Sequence, residues 1–133
     1  MHVQRRILIV DNEERVLFVM RGALARLGDG YRVVTASSGR EALDKAKQTP
    51  FDLVLTDLRM PGMDGIELTE AIRALGSGAI VIWMTAYGCH KMRTEAAKLS
   101  IYCCLDKPIK VGQIRQIVRE AFEAIENKAS VEK

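Results

Sequence analysis

The sequence lacks the features that mark several large classes of protein. Its 133 residues include only three cysteines, an odd number without CxxC or Cys/His spacing, so neither a disulfide framework nor a zinc site is predicted. No apolar run approaches the roughly 18 residues that cross a bilayer, and the polar start leads into a strand, unlike a secretory signal. We therefore expect a protein of the reducing cytoplasm that makes no membrane contact.

Charge of one sign is not concentrated anywhere in the chain. Twenty basic and 17 acidic residues give a formal net charge of +3, with no block of like charge larger than pairs such as Arg5-Arg6. Because a nucleic-acid-binding domain usually has a basic tract or face, direct nucleic-acid binding is not predicted. Nucleotide binding has little support either, since no P-loop or GxGxxG pattern is present.

The hydrophobic content predicts one globular domain. At 48% it is enough for a core that needs no disulfides. We expect a single domain over residues 1–133, with its core at about 5–126 and a charged tail at 127–133. A separate effector domain would not fit in this length.

Strand-like and helix-like segments alternate five times. Short β-branched runs predict strands, and the longer segments between them have helical periodicity. The predicted strands are 6–10, 31–35, 52–56, 79–84 and 101–105, and the predicted helices are 13–28, 38–48, 64–75, 88–99 and 110–127. This alternation predicts an α/β fold, a five-stranded parallel sheet in the order 2-1-3-4-5 with helices on both faces, as in flavodoxin-like doubly wound (βα)5 proteins.

Four of the five predicted strands lead to a polar side chain. Strand one ends at Asp11, strand three at Asp57 and strand four at Thr85. Strand five stops just before Lys107. Because ligands of open α/β sheets bind at the carboxyl ends of the strands, we expect these two acids, one hydroxyl and one ammonium to form a single site.

The two acids predict a metal site. On adjacent strands, Asp11 and Asp57 would lie roughly 5 Å apart and repel each other unless a cation lies between them. Oxygen ligands in a partly open pocket favour Mg2+ over zinc or copper.

The motifs together resemble the receiver domain of bacterial two-component response regulators. The resemblance covers about residues 5–126, and its motifs follow each other at the expected strand ends. They are Ile9-Val10-Asp11, Leu55–Gly65, Met84–Gly88 and Lys107-Pro108.

The resemblance implies a role for each strand-end residue. Asp57 would accept a phosphoryl group from a histidine kinase or histidine phosphotransfer protein. Thr85 and Lys107 would contact the phosphoryl oxygens, and the Mg2+ ligands would be Asp11, Asp57 and the backbone carbonyl of Arg59. Apart from this self-catalysed transfer and slow autodephosphorylation, the chain is not expected to be an enzyme.

The resemblance also implies a signalling switch. Phosphorylation would change the surface of helix four, strand five and helix five, which would control a downstream effector protein or output domain. The same surface is a candidate dimer interface.

One departure from the family pattern lies in the metal site. Asn12 stands where the family usually has a second acid that binds the metal. It offers a neutral amide oxygen, and Glu13, acting through water, could restore the missing charge.

A second departure lies in the switch surface, which we assign to Thr85, Tyr87 and Cys104. Cys104 stands where the family often has Tyr or Phe, and Tyr102 is two residues earlier on the same pleat face. A cysteine has no ring that could rotate, so we expect Tyr87 to move with Thr85 and Gly88 to act as the hinge.

The cysteines themselves are interpreted as structural. Buried cysteine usually behaves as a small hydrophobe, which is how we interpret Cys103 and Cys104. Cys89 is interpreted as an ordinary residue of helix four, and no redox role is predicted.

Two other functions compete with a phosphorylated receiver. Asn12 and Cys104 are compatible with a pseudo-receiver, which would act as a phosphorylation-independent interaction module. An aspartate-nucleophile phosphohydrolase would need an acid two residues after Asp57, but Arg59 occupies that position.

Overall fold

The computed structural model describes residues 4–132, with side chains described through residue 127. It contains five strands, five α-helices and a 3-10 turn. The strands are β1 Arg5–Val10, β2 Tyr31–Ala36, β3 Leu53–Asp57, β4 Ile80–Thr85 and β5 Cys103–Asp106. The helices are α1 Glu14–Ala25, α2 Gly39–Gln48, α3 Gly65–Ala74, α4 Arg93–Lys98 and α5 Val111–Glu132, and the 3-10 turn is Cys89–Met92.

The strands form one parallel sheet in the order β2-β1-β3-β4-β5, which confirms the predicted topology. In the register, Val10 pairs with Thr56, Asp57 with Met84, and Thr85 with Asp106. The carboxyl ends of β1, β3, β4 and β5 therefore lie next to each other along one edge of the sheet.

Two apolar layers cover the faces of the sheet. Because side chains alternate along a strand, Ile9 of β1 packs toward α1 and α5, while its neighbour Leu8 packs toward α2 and α3. The strands β3 and β4 are buried along their whole length, including Trp83, which is fully buried. Trp83 therefore belongs to the core, and burial on both faces explains why these strands appear as continuous apolar runs.

Side-chain caps define the starts of two helices. Ser38 accepts a hydrogen bond from the backbone N–H of Glu41 at 3.1 Å, as expected for the N-cap of α2. Asp64 and Glu67 form a capping box at the start of α3. Gly76, with a φ of +81°, ends α3 in the left-handed conformation that glycine adopts without steric cost.

Three predicted helices have clearly different bounds in the structure. Helix α1 ends at Ala25 instead of at 28. The helix predicted at 88–99 is a 3-10 turn followed by the short α4, and no residue of either is fully buried. Such a segment lacks the tertiary packing that would extend a helix. Helix α5 continues to Glu132 instead of ending at 127. No helix among the described residues is long and apolar enough to cross a membrane.

Candidate functional site

The carboxyl edge of the sheet brings three of the predicted site residues into direct contact. The Nζ atom of Lys107 lies 2.8 Å from Oδ2 of Asp11 and 3.2 Å from Oδ2 of Asp57. Asp11 is fully buried and Asp57 is 6% exposed, so both carboxylates depend on this ammonium for charge compensation. Two acids and one lysine leave this cluster with a net charge of one negative unit when all three are ionised.

Burial dominates the ionisation of Asp57. It raises the pKa of the carboxyl above 3.8, and the negative charge of Asp11 adds to the increase. The charge and hydrogen bond of Lys107 act in the opposite direction, and the backbone N–H of Arg59, 3.4 Å from Oδ1, contributes weakly to the same effect. The ammonium therefore helps to keep Asp57 in the ionised form that a nucleophile requires.

The pKa of Lys107 depends on the same contacts. Its burial favours the neutral amine, but the hydrogen bond and charge of Asp11, together with those of Asp57, outweigh burial and raise the pKa of Lys107. Lys107 is followed by Pro108 through a cis peptide bond. The lysine is thus a stable cation held between two acids.

The turn after β3 brings the start of α3 into close contact with the backbone of Asp57. Gly65, the first residue of α3, approaches the backbone carbonyl of Asp57 so closely that a Cβ atom would overlap with it. Its N–H donates to the carbonyl of Leu58 at 3.1 Å. Gly62 has a φ of +74°, which few other residues adopt. Gly62 therefore serves the turn geometry, and Gly65 allows the close approach of α3 to Asp57.

Asn12 and Glu13 both lie at the surface beside Asp11. The backbone N–H of Glu13 donates to Oδ1 of Asp11 at 2.9 Å. This bond orients the Asp11 carboxylate, whose other oxygen binds Lys107. Glu13 precedes α1 as its N-cap residue.

Thr85 ends β4 at the same edge and is 2% exposed. Its hydroxyl oxygen accepts a hydrogen bond from the backbone N–H of Tyr87 at 3.0 Å, and its carbonyl accepts one from the N–H of Lys107 at 2.8 Å. The hydroxyl proton remains available for donation. Thr85 is thus linked both to the loop after β4 and to the start of the segment after β5.

A surface contact joins the loops that follow β3 and β4. The guanidinium carbon of Arg59 lies 4.2 Å from the ring centroid of Tyr87, a cation–π geometry. Arg59 is exposed and Tyr87 is 56% exposed. No pattern in the sequence predicts this pair, because it depends on how two loops from different strands fold toward each other.

Cys89 and Cys104 form a disulfide, with Cα atoms 5.7 Å apart. The interpretation of both as ordinary structural thiols was therefore wrong, as was the prediction that Cys89 belongs to helix four: it begins the 3-10 turn. The pairing could have been suspected, because Cys89 lies shortly after β4 and Cys104 lies in the adjacent β5. Cys103 is the free cysteine and faces the opposite side of the sheet.

Comparison with known proteins decides the family. The model of the response regulator receiver domain matches residues 7–119. The chain belongs to this family. The resemblance that the motifs predicted is therefore confirmed.

Individual relatives agree with the receiver assignment. The chain is 33% identical over 118 residues to sporulation initiation phosphotransferase F of Bacillus subtilis, covering 89% of this chain and 94% of that protein. It is 36% identical over 116 residues to the transcriptional regulatory protein ZraR of Escherichia coli, covering 87% of this chain but only 26% of that protein. The chain thus spans about a quarter of the length of ZraR.

A solved structure shows the same architecture. A response regulator receiver domain protein from Methanospirillum hungatei, described as CheY-like, superposes with a TM-score of 0.86 at 27% identity, covering 95% of this chain and 99% of the other. The receiver fold and the place of the chain in two-component signalling follow from these matches.

Proposed function

We propose that the chain is a phosphorylation-dependent signalling switch, in which Asp57 accepts a phosphoryl group from a histidine kinase or histidine phosphotransfer protein. The observation that supports this most strongly is the contact of Lys107 with both Asp11 and Asp57 at the carboxyl edge of a receiver sheet. A buried carboxylate with a cation beside it is a suitable nucleophile, since the cation maintains its charge and can later hold the transferred group. We propose that residues 1–133 form one such receiver domain.

Mg2+ fits the donors at this edge. The described residues contain no cluster of three or more His, Cys, Asp or Glu, which argues against a transition-metal cage, whereas Mg2+ needs only one or two carboxylates. The excess negative charge of the Asp11–Asp57–Lys107 cluster also favours a further cation. Asp11, Asp57 and the carbonyl of Arg59 would hold the ion, with Asn12 as a weaker neutral donor. When bound, Mg2+ would neutralise charge on the phosphoryl oxygens.

The chain's own residues have distinct tasks in the transfer. Asp57 attacks the phosphorus atom through a carboxylate oxygen while the donor imidazole leaves. Lys107, already 3.2 Å from that carboxylate, then holds a phosphoryl oxygen by charge and hydrogen bonding. Thr85 donates a hydrogen bond from its hydroxyl to another oxygen. The chemistry is confined to this transfer and to slow hydrolysis of the phosphoryl group, so we do not propose a further enzymatic activity.

Thr85 connects the phosphorylation site to the surface of the domain. If the Thr85 side chain rotates toward the phosphoryl group, its hydroxyl oxygen moves relative to the N–H of Tyr87 and pulls on the hydrogen bond between them. The loop after β4 then moves, and with it the surface of α4, β5 and α5. We propose that this surface controls an effector protein or an output domain, and that it is also the candidate dimer interface. Nucleic acid and membranes are not proposed as direct partners, and the proposed compartment is the cytoplasm.

Helix α1 offers a docking surface for the phosphodonor. Phe18 is 81% exposed and Val19 is 51% exposed on this helix. A groove of about 450 Å³ lined in part by Val19 continues to Lys107 and Pro108, beside the acceptor. Exposed apolar surface bordered by polar residues is typical of a protein interaction site. We propose that the phosphohistidine protein binds here.

Mass spectrometry tests the proposal directly. The protein is incubated with acetyl phosphate, with and without Mg2+, and the intact mass is measured. We expect one added phosphoryl group that depends on Mg2+, and none in Asp57→Asn. The matched control is Asp44→Asn, which changes an exposed aspartate of α2 and should not affect the reaction.

A pseudo-receiver is the second candidate, favoured by Asn12 and by the fact that Lys107 already compensates both acids. It predicts no mass increase under any of these conditions while the protein stays folded. A phosphoryl group on another residue of Asp57→Asn would instead contradict the assignment of the acceptor.

A further inference from the structure

A disulfide joins the segment after β4 to β5. Cys89 begins the 3-10 turn, and Cys104 lies in β5 opposite Trp83 of β4. Their Cα separation of 5.7 Å is typical of disulfides, so the bond requires no displacement of either element. Both cysteines are half-buried, which leaves the bond within reach of small molecules.

Two hydrogen bonds donated by backbone N–H groups act on the same segment. The N–H of Cys89 donates to Oδ1 of Asp106 at 2.9 Å, and the N–H of Lys107 donates to the carbonyl of Thr85 at 2.8 Å. Only residues 86–88 separate Thr85 from Cys89. A short loop is therefore fixed to β4 at one end and to β5 at the other.

The two links between Cys89 and β5 differ in how readily they can be released. A hydrogen bond to the exposed Asp106 can exchange with water at little net cost, whereas a disulfide opens only through redox chemistry. Gly88 has a φ of +89° and gives the loop a point of rotation, but rotation about Gly88 displaces Cys89. The disulfide thus opposes the displacement that the proposed switch requires.

We propose that Cys89 and Cys104 are a reversible thiol–disulfide site that regulates the switch. In the oxidised state the loop 86–88 is locked against β5, and in the reduced state it is free to follow Thr85. The inference rests on the proposed function for its consequence, because Thr85 is the residue through which phosphorylation would act. The lock itself is a property of the unphosphorylated protein and can be measured there.

Oxidation requires a small-molecule disulfide as the oxidant. The thiolate of Cys89 attacks one of its sulfur atoms, forms a mixed disulfide and releases one small thiolate. The thiolate of Cys104 then attacks Sγ of Cys89 and expels the second. In total the two protein thiols lose two protons and two electrons, and the oxidant is reduced to two small thiols.

Cys103 is a natural internal control. It is adjacent to Cys104 but lies on the other face of the sheet. Burial, together with the negative charge of Glu120, raises the pKa of the Cys103 thiol and makes it less reactive. Replacing Cys103 should therefore leave the proposed site intact.

The first experiment measures the site alone. Unphosphorylated protein is equilibrated with mixtures of reduced and oxidised glutathione and then alkylated. Its intact mass, measured by mass spectrometry, gives the number of alkylated thiols. We expect the wild type and Cys103→Ser each to lose two alkylation sites as the mixture becomes more oxidising, and to regain them when the change is reversed. Cys104→Ser should not form the intramolecular bond. A pair that stays in one state across the whole series would overturn the proposal.

The second experiment measures the lock. Hydrogen exchange of residues 86–92 is compared in the oxidised and reduced protein, before and after treatment with acetyl phosphate and Mg2+. Before treatment, exchange should be several-fold slower in the oxidised protein, and Cys104→Ser under oxidising conditions should match the reduced wild type. After treatment, exchange should change in the reduced protein and much less in the oxidised one.

The outcomes separate this inference from the proposed function. Equal exchange in the two redox states before treatment would overturn the lock, whether or not Asp57 is phosphorylated. Slower exchange in the oxidised protein without any phosphorylation would support the lock and overturn the phosphorylated switch. Phosphorylation that moves the loop equally in both states would overturn the regulatory role of the disulfide.

Discussion

Lys107 determines the charge balance at the acceptor. Its ammonium contacts Asp11 and Asp57 at once, so it holds together two acids that would otherwise repel each other across adjacent strands. A cation at this point has two effects on Asp57: it favours the ionised carboxylate and it keeps the nucleophilic oxygen in place. The first effect can be measured separately from catalysis.

We predict that removing Lys107 raises the pKa of Asp57 further. Burial already raises this pKa above 3.8, and Lys107 opposes the increase. In Lys107→Ala the opposing charge is absent, so protonation of Asp57 should begin at a higher pH than in the wild type. Carboxyl NMR titration measures the shift. Lys110→Ala, three residues along and exposed, is the control and should titrate like the wild type, whereas a lower Asp57 pKa in Lys107→Ala would contradict this account.

Asn12 determines the charge available to a metal ion. Asn12→Asp adds one negative charge beside Asp11, and we predict that it strengthens Mg2+ binding by an amount on the order of 1 kcal/mol. Calorimetric titration measures the difference. The other asparagine provides a matched control, since Asn127→Asp makes the same chemical change on α5, far along the chain from the site. Unchanged or weaker binding in Asn12→Asp would show that another group, such as Glu13, already supplies the missing charge.

Among the elements, the buried strands were the most predictable. β3 and β4 begin and end within one residue of their predicted bounds, because burial on both faces requires a continuous apolar run. The same regularity located Asp57 and Thr85, since each follows directly from where its strand ends. The positions of the strand-end residues could therefore be predicted from the pattern alone.

The region from Cys89 to Lys98 could not be predicted in the same way. None of its residues is fully buried, so the positions of its apolar residues do not mark a buried helix face. The sequence pattern therefore does not indicate the division into a 3-10 turn and the short α4. The direct ion pairs of Lys107 and the disulfide of Cys104 were also not predicted, although Lys107 was expected in one site with the two acids. Both depend on side-chain direction across neighbouring strands, which a linear pattern does not contain.

Helix α1 leads to a prediction about the phosphodonor. If Phe18 contacts the donor protein, Phe18→Ala should slow transfer from a phosphohistidine protein that phosphorylates the wild type, while transfer from acetyl phosphate stays unchanged. Leu75→Ala is the matched control, because Leu75 is also exposed but lies by the amino ends of the strands, in a cavity it shares with Ile80. Equal slowing with both donors would place the effect at the site itself, and no slowing with either would exclude Phe18 from the interface.

At the scale of the whole molecule, two kinds of link connect the site to the rest of the fold. Apolar packing holds the central strands as a rigid frame, whereas polar contacts and one disulfide hold the loops at its carboxyl edge. Rearrangement on phosphorylation should therefore be concentrated in the loops. The disulfide also constrains the unfolded chain, which gives it an effect on global stability besides its effect on the loop.

We predict that reduction lowers the free energy of unfolding by about 3 kcal/mol, the value that loop-closure entropy gives for a link across roughly 15 residues. Cys89 and Cys104 are 15 residues apart, so the estimate applies directly. Urea unfolding of the wild type with and without a thiol reductant measures the difference. Cys103→Ser should show the same loss on reduction, and Cys89→Ser should show none. If reduction leaves the stability of the wild type unchanged while the loop 86–88 becomes mobile, strain in the folded state must offset the entropy of the unfolded chain, and the disulfide would act on the switch alone.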